Sequence, residues 1–165
     1  MSQSVILSNE EIVFKIRRIA YQIYENNINE KDIIIAGISS NGFYLATKIK
    51  EVLDTISDLN TVLCEVFIDK KQPLKGVKTS LKPEEYKNKS LVLVDDVLNS
   101  GSTLIYCVKH FLDVPLKQFK TAVLVNRNHK KYPIKADFKG ISLSTSLQEH
   151  VTFEEKNGKA KVYLD

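Results

Sequence analysis

Asp95 and Asp96 stand side by side, and Asn99-Ser100-Gly101-Ser102-Thr103 follows after the short spacer Val97-Leu98. Adjacent carboxylates attract cations and accept hydrogen bonds from hydroxyls, and they repel a phosphate. The segment from Asn99 to Thr103 carries no bulky side chain. Its amides and hydroxyls can close around an oxyanion where a helix begins, because helix N-terminal amides are unpaired and the dipole there favours negative charge. Acids and anion cradle so close together point to a ligand with a polyol and a phosphate on one small body, a phosphorylated sugar. The acids could hold its hydroxyls directly or through a metal ion.

Such groups need a rigid support. Leu91-Val92-Leu93-Val94 precedes the acids, and Leu104, Ile105, Val108, Phe111 and Leu112 follow at helical spacing. A continuous apolar run fits a strand buried on both faces of a parallel sheet, and the carboxyl ends of such strands are where open α/β sheets bind ligands. Asp32 to Ile38 predicts a second buried strand, running into Ser39-Ser40-Asn41-Gly42 and a helix with Leu45, Ile49, Val52 and Leu53. Strand, polar turn and helix again make an arrangement that can cradle an anion.

Ser8-Asn9-Glu10-Glu11 fits a capping box, and Ile12, Ile16, Ile19 and Ile23 keep helical spacing. A first helix is predicted over about Asn9 to Asn27, with Arg17 and Arg18 on its solvated edge. Thr61–Ile68 and Lys120–Val125 read as further strands, and Ile141 to Thr145 as a last short one. Asn157-Gly158 between two alternating runs predicts a hairpin. Asp69 to Lys89 is polar and Lys-rich, with Pro73, Gly76 and Pro83. It reads as a long irregular insertion, either a functional lid or a disordered excursion, and it carries Lys70, Lys71, Lys75 and Lys78.

The 165 residues suit one domain spanning 1–165, and 43% hydrophobic with 27% charged residues is ordinary for a water-soluble globule. No apolar run reaches membrane-spanning length and no signal-peptide core is present. Cys64 and Cys107 lie in apolar segments outside any CxxC pair. They predict reduced core thiols and a cytoplasmic setting. A net charge of +4 suits an anionic ligand and permits weak RNA contact.

The stretch from Leu91 to Thr103 resembles the phosphorylribose-binding motif of the type I phosphoribosyltransferases: apolar residues, two acids, a spacer, then Ser/Thr-Gly-x-Ser/Thr. Ala122 to His129, Pro133 to Phe138 and Ser144-Thr145-Ser146 follow the order seen in the bifunctional pyrimidine operon regulator/uracil phosphoribosyltransferase family. Arg17-Arg18-Ile19-Ala20 and Gly37 fit that family too. The resemblance covers almost the whole chain. It implies an α/β fold with a central, mostly parallel sheet flanked by helices and a flexible hood loop at 69–89 that closes over the reacting centre, with Lys70, Lys71, Lys75 and Lys78 as phosphate contacts on closure. It also implies Mg2+, with phosphoribosyl diphosphate (PRPP) and a nucleobase as substrates, and a homodimer.

By that resemblance Asp95 and Asp96 are catalytic. Ser39, Ser40, Asn41, Gly42, Asp95, Asp96, Val97, Leu98, Asn99, Ser100, Gly101, Ser102 and Thr103 would bind PRPP. Asn126, Phe138 and Lys139 would meet the base, and Lys75, Lys78, Arg127 and His129 would contact the lid region or RNA. No side chain is a certain direct ligand of Mg2+, which PRPP would largely hold, with Asp95 and Asp96 as the candidates.

The implied reaction is uracil plus PRPP giving UMP and diphosphate. Two alternatives remain: a PRPP- or UMP-sensing, RNA-binding regulator with little catalysis, and a purine-base phosphoribosyltransferase. The chain departs from the family pattern in several places. Asn126-Arg127-Asn128-His129 replaces Asp-Arg-Gly-His, and Ser102 stands where arginine is common. Ser39 and Asn41 stand where relatives carry arginines. Lys139, Ile141 and Ser144 replace a Val, a Lys and a Pro. Asn99 is neutral where purine relatives often carry Asp, which argues against hypoxanthine or guanine.

Overall fold

Alternate residues of the central strands are buried in opposite directions, and this sets the layering. The computed structural model describes residues 3–165. In chain order the elements are β1 (Ser4–Leu7), α1 (Asn9–Asn26), β2 (Asp32–Ile38), α2 (Asn41–Ile56), β3 (Asn60–Ile68), a 3-10 turn (Pro73–Lys75) and β4 (Val77–Thr79). Then come α3 (Pro83–Tyr86), β5 (Ser90–Leu98), α4 (Ser102–Phe111), β6 (Gln118–Arg127), β7 (Phe138–Leu143), β8 (Val151–Lys156) and β9 (Lys159–Leu164).

Six strands form one sheet in the order β4-β3-β2-β5-β6-β7. All neighbours are parallel except β4, which runs antiparallel to β3. Ile33, Ile35, Val92 and Val94 join a core with Ile12, Ile16 and Ile23 of α1 and Leu45, Ile49 and Leu53 of α2. Ile34, Ala36, Leu91 and Leu93 join a second core with Leu104, Cys107 and Phe111 of α4 and Tyr86 of α3. Each fully buried Ile or Leu contributes about 1.5–3 kcal/mol of transfer free energy, so β2 and β5 are held from both sides. Their carboxyl ends are thereby fixed.

The capping box at α1 is formed, with Glu11 N donating to Ser8 Oγ (3.2 Å) and Ser8 N to Glu11 Oε2 (2.8 Å). The helix ends one residue before its predicted limit. Asn27 leaves it with a buried amide, its Nδ2 donating to Ile23 O and its Oδ1 accepting from Ser90 Oγ at 2.6 Å. Arg18 is not merely solvated, since its Nη2 donates to Gly140 O (2.7 Å) on β7. The hairpin at Asn157-Gly158 is present, with both residues at positive φ. It pairs with β1 in a separate three-stranded sheet, β1-β9-β8.

Two expectations are corrected here. The 69–89 segment is not irregular throughout, because Val77, Lys78 and Thr79 pair with Ile68, Phe67 and Val66, and Tyr86 is buried. The last sheet strand begins at Phe138 rather than Ile141. Gly140 sits inside it because a Cβ there would lie 2.5 Å from Leu124 O.

Candidate active site

The carboxyl ends of β2 and β5 face the starts of α2 and α4. A cavity of about 170 Å³ opens there, lined by Lys70, Asp95, Asp96, Val97, Leu98, Asn99, Ser100, Gly101, Ser102, Thr103, Leu104 and Val151. The acid pair and the bare turn therefore share one hollow.

The turn is shaped by backbone requirements. Gly101 has φ +90°, and a Cβ on it would collide with Ile134. Ser100 O accepts from Lys131 N (2.7 Å) and Tyr132 N (3.1 Å), which anchors the turn to the following segment. No side chain caps the first amides of α4, although Ser102 N donates to Ser100 Oγ (3.2 Å). Uncapped amides at a helix start suit an anion.

Asp95 and Asp96 are 2% and 9% exposed. Asp96 N donates to Asp95 Oδ1 (2.9 Å), and Val97 N to Asp96 Oδ1 (2.8 Å). Asn41 Nδ2 donates to Asp96 Oδ2 (3.0 Å), which ties the start of α2 to the acid pair. Lys70 Nζ lies 3.4 Å from Asp95 Oδ1 and 3.8 Å from Asp96 Oδ1. Burial, reinforced by the negative charge of Asp96, pushes the Asp95 carboxyl up to about 8, although Lys70 pulls the other way. Burial works against the Lys70 charge, but Asp95 and Asp96 outweigh it and hold the ammonium above its ordinary range. Gly42 lets the two elements meet, since a Cβ there would stand 2.6 Å from Val94 O and 3.1 Å from Asp95 Cα.

The 39–42 turn is less free than its sequence suggests. Ser39 N donates to Val66 O (2.9 Å), and Ser39 Oγ to Glu65 Oε1 (3.4 Å). Ser39 and Ser40 are joined by a cis peptide bond. Ser40, Phe67, Asp69, Gly76 and Lys78 line an adjoining, more open hollow. Lys75 pairs with Asp69 at 3.7 Å on the exposed side of the segment.

The residues expected at the base are not gathered. Asn126 lies at the carboxyl end of β6 opposite Leu98, 6% exposed. Its Nδ2 donates to Ser142 Oγ (3.3 Å) and its Oδ1 is buried without a partner. Phe138 pairs in register with Ala122, four residues upstream of Asn126, and is packed in the α1–α2 core. It cannot stack on a base without leaving that core. Lys139, opposite Val123, is exposed and also set back from the edge.

Arg127 is likewise no surface contact. It is 7% exposed and its guanidinium donates to Asn99 Oδ1 (3.1 Å), Thr145 Oγ1 (2.7 Å), Ser146 O (3.1 Å) and Glu149 O (2.7 Å). His129 Nε2 meets Thr145 O. The basic run thus holds the 145–149 segment against the turn after β5. Lys70 was visible in the sequence only as one of several lid lysines, and nothing local marked it as the partner of the acids.

A family model described as the phosphoribosyl transferase domain matches residues 2–156. The chain belongs to that family, and its fold is that of the type I phosphoribosyltransferases. Within the family it is similar to proteins named bifunctional protein PyrR. The one from Macrococcus caseolyticus is 31% identical over 173 residues, 99% of each chain. That from Streptococcus thermophilus is 35% identical over 171 residues, 99% of this chain and 98% of the relative. In fold it matches the hypoxanthine phosphoribosyltransferase of Trypanosoma cruzi, with a TM-score of 0.78 at 14% identity over 98% of this chain and 96% of the other. A hypoxanthine-guanine phosphoribosyltransferase from Bacillus anthracis gives 0.74 at 18% identity over 90% and 86%.

Proposed function

We propose that this chain transfers the phosphoribosyl group of PRPP to a nucleobase, with uracil the favoured acceptor, giving UMP and diphosphate in nucleotide salvage. The observation that carries the reading is the single cavity shared by Asp95, Asp96 and residues 99–103. It offers carboxylates to ribose hydroxyls and amides to a 5′-phosphate.

Asp95 and Asp96 hold the ribose hydroxyls, and Asp96 stabilises the positive charge that grows on the ring as the diphosphate leaves. Ser100 to Thr103 fix the 5′-phosphate. The amides of Asn41 and Gly42 face the leaving group at the start of α2, where the helix leaves them unpaired. Of the base candidates Asn126 stands nearest the acids, at the end of β6 opposite Leu98, and the base is assigned to that side of the cavity. The 70–89 segment excludes water that would hydrolyse the activated sugar. Most of the rate then comes from positioning, so no nucleophilic side chain is required.

Two carboxylates and no further acidic, His or Cys ligand gather at this cavity; among the described residues no group of three or more such ligands occurs. That donor set fits Mg2+, which keeps several waters and takes substrate oxygens. Asp95 and Asp96 would be its protein-side contacts, and the ion would neutralise diphosphate charge.

A second reading, a regulator that senses PRPP or UMP and binds RNA with little turnover, is favoured by the 39–42 turn, which has no basic side chain and whose Ser39 amide is already bonded. The relatives' name, bifunctional, is compatible with both. A homodimer is inferred from the family resemblance alone. The test mixes the protein with Mg-PRPP and each nucleobase and follows diphosphate release. Release with uracil supports the enzyme. No release with any base, alongside measurable UMP binding, supports the sensor. Release with hypoxanthine or guanine in place of uracil would assign a purine enzyme.

A further inference from the structure

The acid pair already has a cation. Lys70 reaches it from the far end of β3, 25 residues away in sequence, with its ammonium 3.4 Å from Asp95 and 3.8 Å from Asp96. The carboxylates are almost wholly buried while 46% of the Lys70 side chain is exposed. The acids are thus fixed and the lysine is the movable partner, standing on a flexible stem. Lys70 also sits between two hollows. It lines the cavity of the acids and the 99–103 turn, while its neighbour Asp69 lines the hollow containing Ser39, Ser40 and Lys78.

The 39–42 turn offers no basic side chain of its own. A diphosphate held there carries several negative charges, and Lys78 is the one basic residue lining that hollow. Meanwhile a buried pair of carboxylates with no counter-ion would be costly, which gives the empty site a reason to keep a lysine on them.

We infer that Lys70 is a shared counter-ion, lying on Asp95 and Asp96 in the empty protein and moving onto the diphosphate of the bound ligand, so that it both keeps divalent cations off the acids until substrate arrives and supplies the charge missing from the 39–42 turn. Its transfer also draws the start of the 69–79 segment over the ligand, because Asp69 and Lys70 directly precede the 3-10 turn and β4. The inference rests on the transferase reading only in taking the ligand to carry a diphosphate.

The test uses the full chain with Lys70→Gln and Lys70→Arg. Lys70→Gln removes the counter-ion of the acids and should lower stability, whereas Lys70→Arg keeps the charge, so a thermal melt first establishes that each variant is folded at the temperature of the binding measurements. Mn2+ binding is measured by electron paramagnetic resonance on ligand-free protein, and Mg-diphosphate binding by calorimetry. Lys70→Gln should bind Mn2+ about tenfold more tightly than wild type, and diphosphate about tenfold more weakly. Lys70→Arg should stay close to wild type in both. Unchanged Mn2+ affinity, or unchanged diphosphate affinity, in Lys70→Gln overturns the inference and leaves the transferase reading standing. A wild type that binds neither diphosphate nor PRPP overturns both.

Discussion

Arg127 Nη1 donates to Asn99 Oδ1 across 3.1 Å, joining the carboxyl end of β6 to the turn that follows β5. A guanidinium has donors only, so the Asn99 oxygen must face it. The same guanidinium holds Thr145, Ser146 and Glu149. Removing it would take the donor from four acceptors, on Asn99, Thr145, Ser146 and Glu149, and free the 145–149 segment from the turn after β5. Arg127→Met is expected to lower unfolding free energy by about 2–4 kcal/mol, measured by urea titration, and to weaken UMP binding. RNA affinity, if present, should fall no further than this loss of folded protein explains.

Burial gives Asp95 a testable pH signature. Its carboxyl is raised to about 8, against 3.8 for an ordinary Asp. Between those values the unfolded chain has released the proton that the native chain retains. The native state binds more protons there, so this group's contribution to stability falls as pH rises through the window and levels off above about 8. Asp95→Asn removes that slope. Its stability relative to wild type should rise by about 1–3 kcal/mol between pH 5 and pH 9 in urea titrations, while phosphoribosyl transfer is nearly lost.

Cys107 lies under the site, fully buried, and burial followed by the nearby Asp95 charge pushes its thiol up to about 12. Cys64 is equally buried and free, and burial raises its thiol as well. Thiolates are the reactive form, so an aromatic disulfide reagent should label neither in native protein at pH 8 and both after denaturation.

Close approach at Gly42 sets a fourth expectation. A methyl group there would press on Val94 O and the Asp95 backbone. Gly42→Ala should separate α2 from β5, costing about 1–3 kcal/mol in a thermal or urea melt and weakening PRPP binding more than UMP binding, because the diphosphate end is disturbed first.

Much of this site was legible because its residues are contiguous. Asp95 to Thr103 run through a single strand end and turn, so apolar run, acids and small residues could be read together. The two-faced burial of β2 and β5 was legible for the same reason. What escaped depends on distant partners. β1 is four residues long and exists only because β9, at the other end of the chain, pairs with it. β4 has three residues and is held by β3. Arg127 in a basic run looks solvated until the 145–149 segment folds over it. Phe138 carries the flat ring a base would want, yet its place in register opposite Ala122 turns it into core. The last strand starts earlier than its apolar residues suggest, because Gly140 is a point where β7 crowds Leu124.

The central claim is that one hollow grips both ends of a phosphoribosyl group, and calorimetric titration of Mg-PRPP tests it most directly. Wild type should bind one PRPP per chain. Asp95→Asn/Asp96→Asn and, separately, Gly101→Val should each weaken binding at least about tenfold, the first by removing the hydroxyl acceptors and the second by driving a side chain against Ile134 and deforming the turn. Equal PRPP affinity in all three folded proteins would contradict the account.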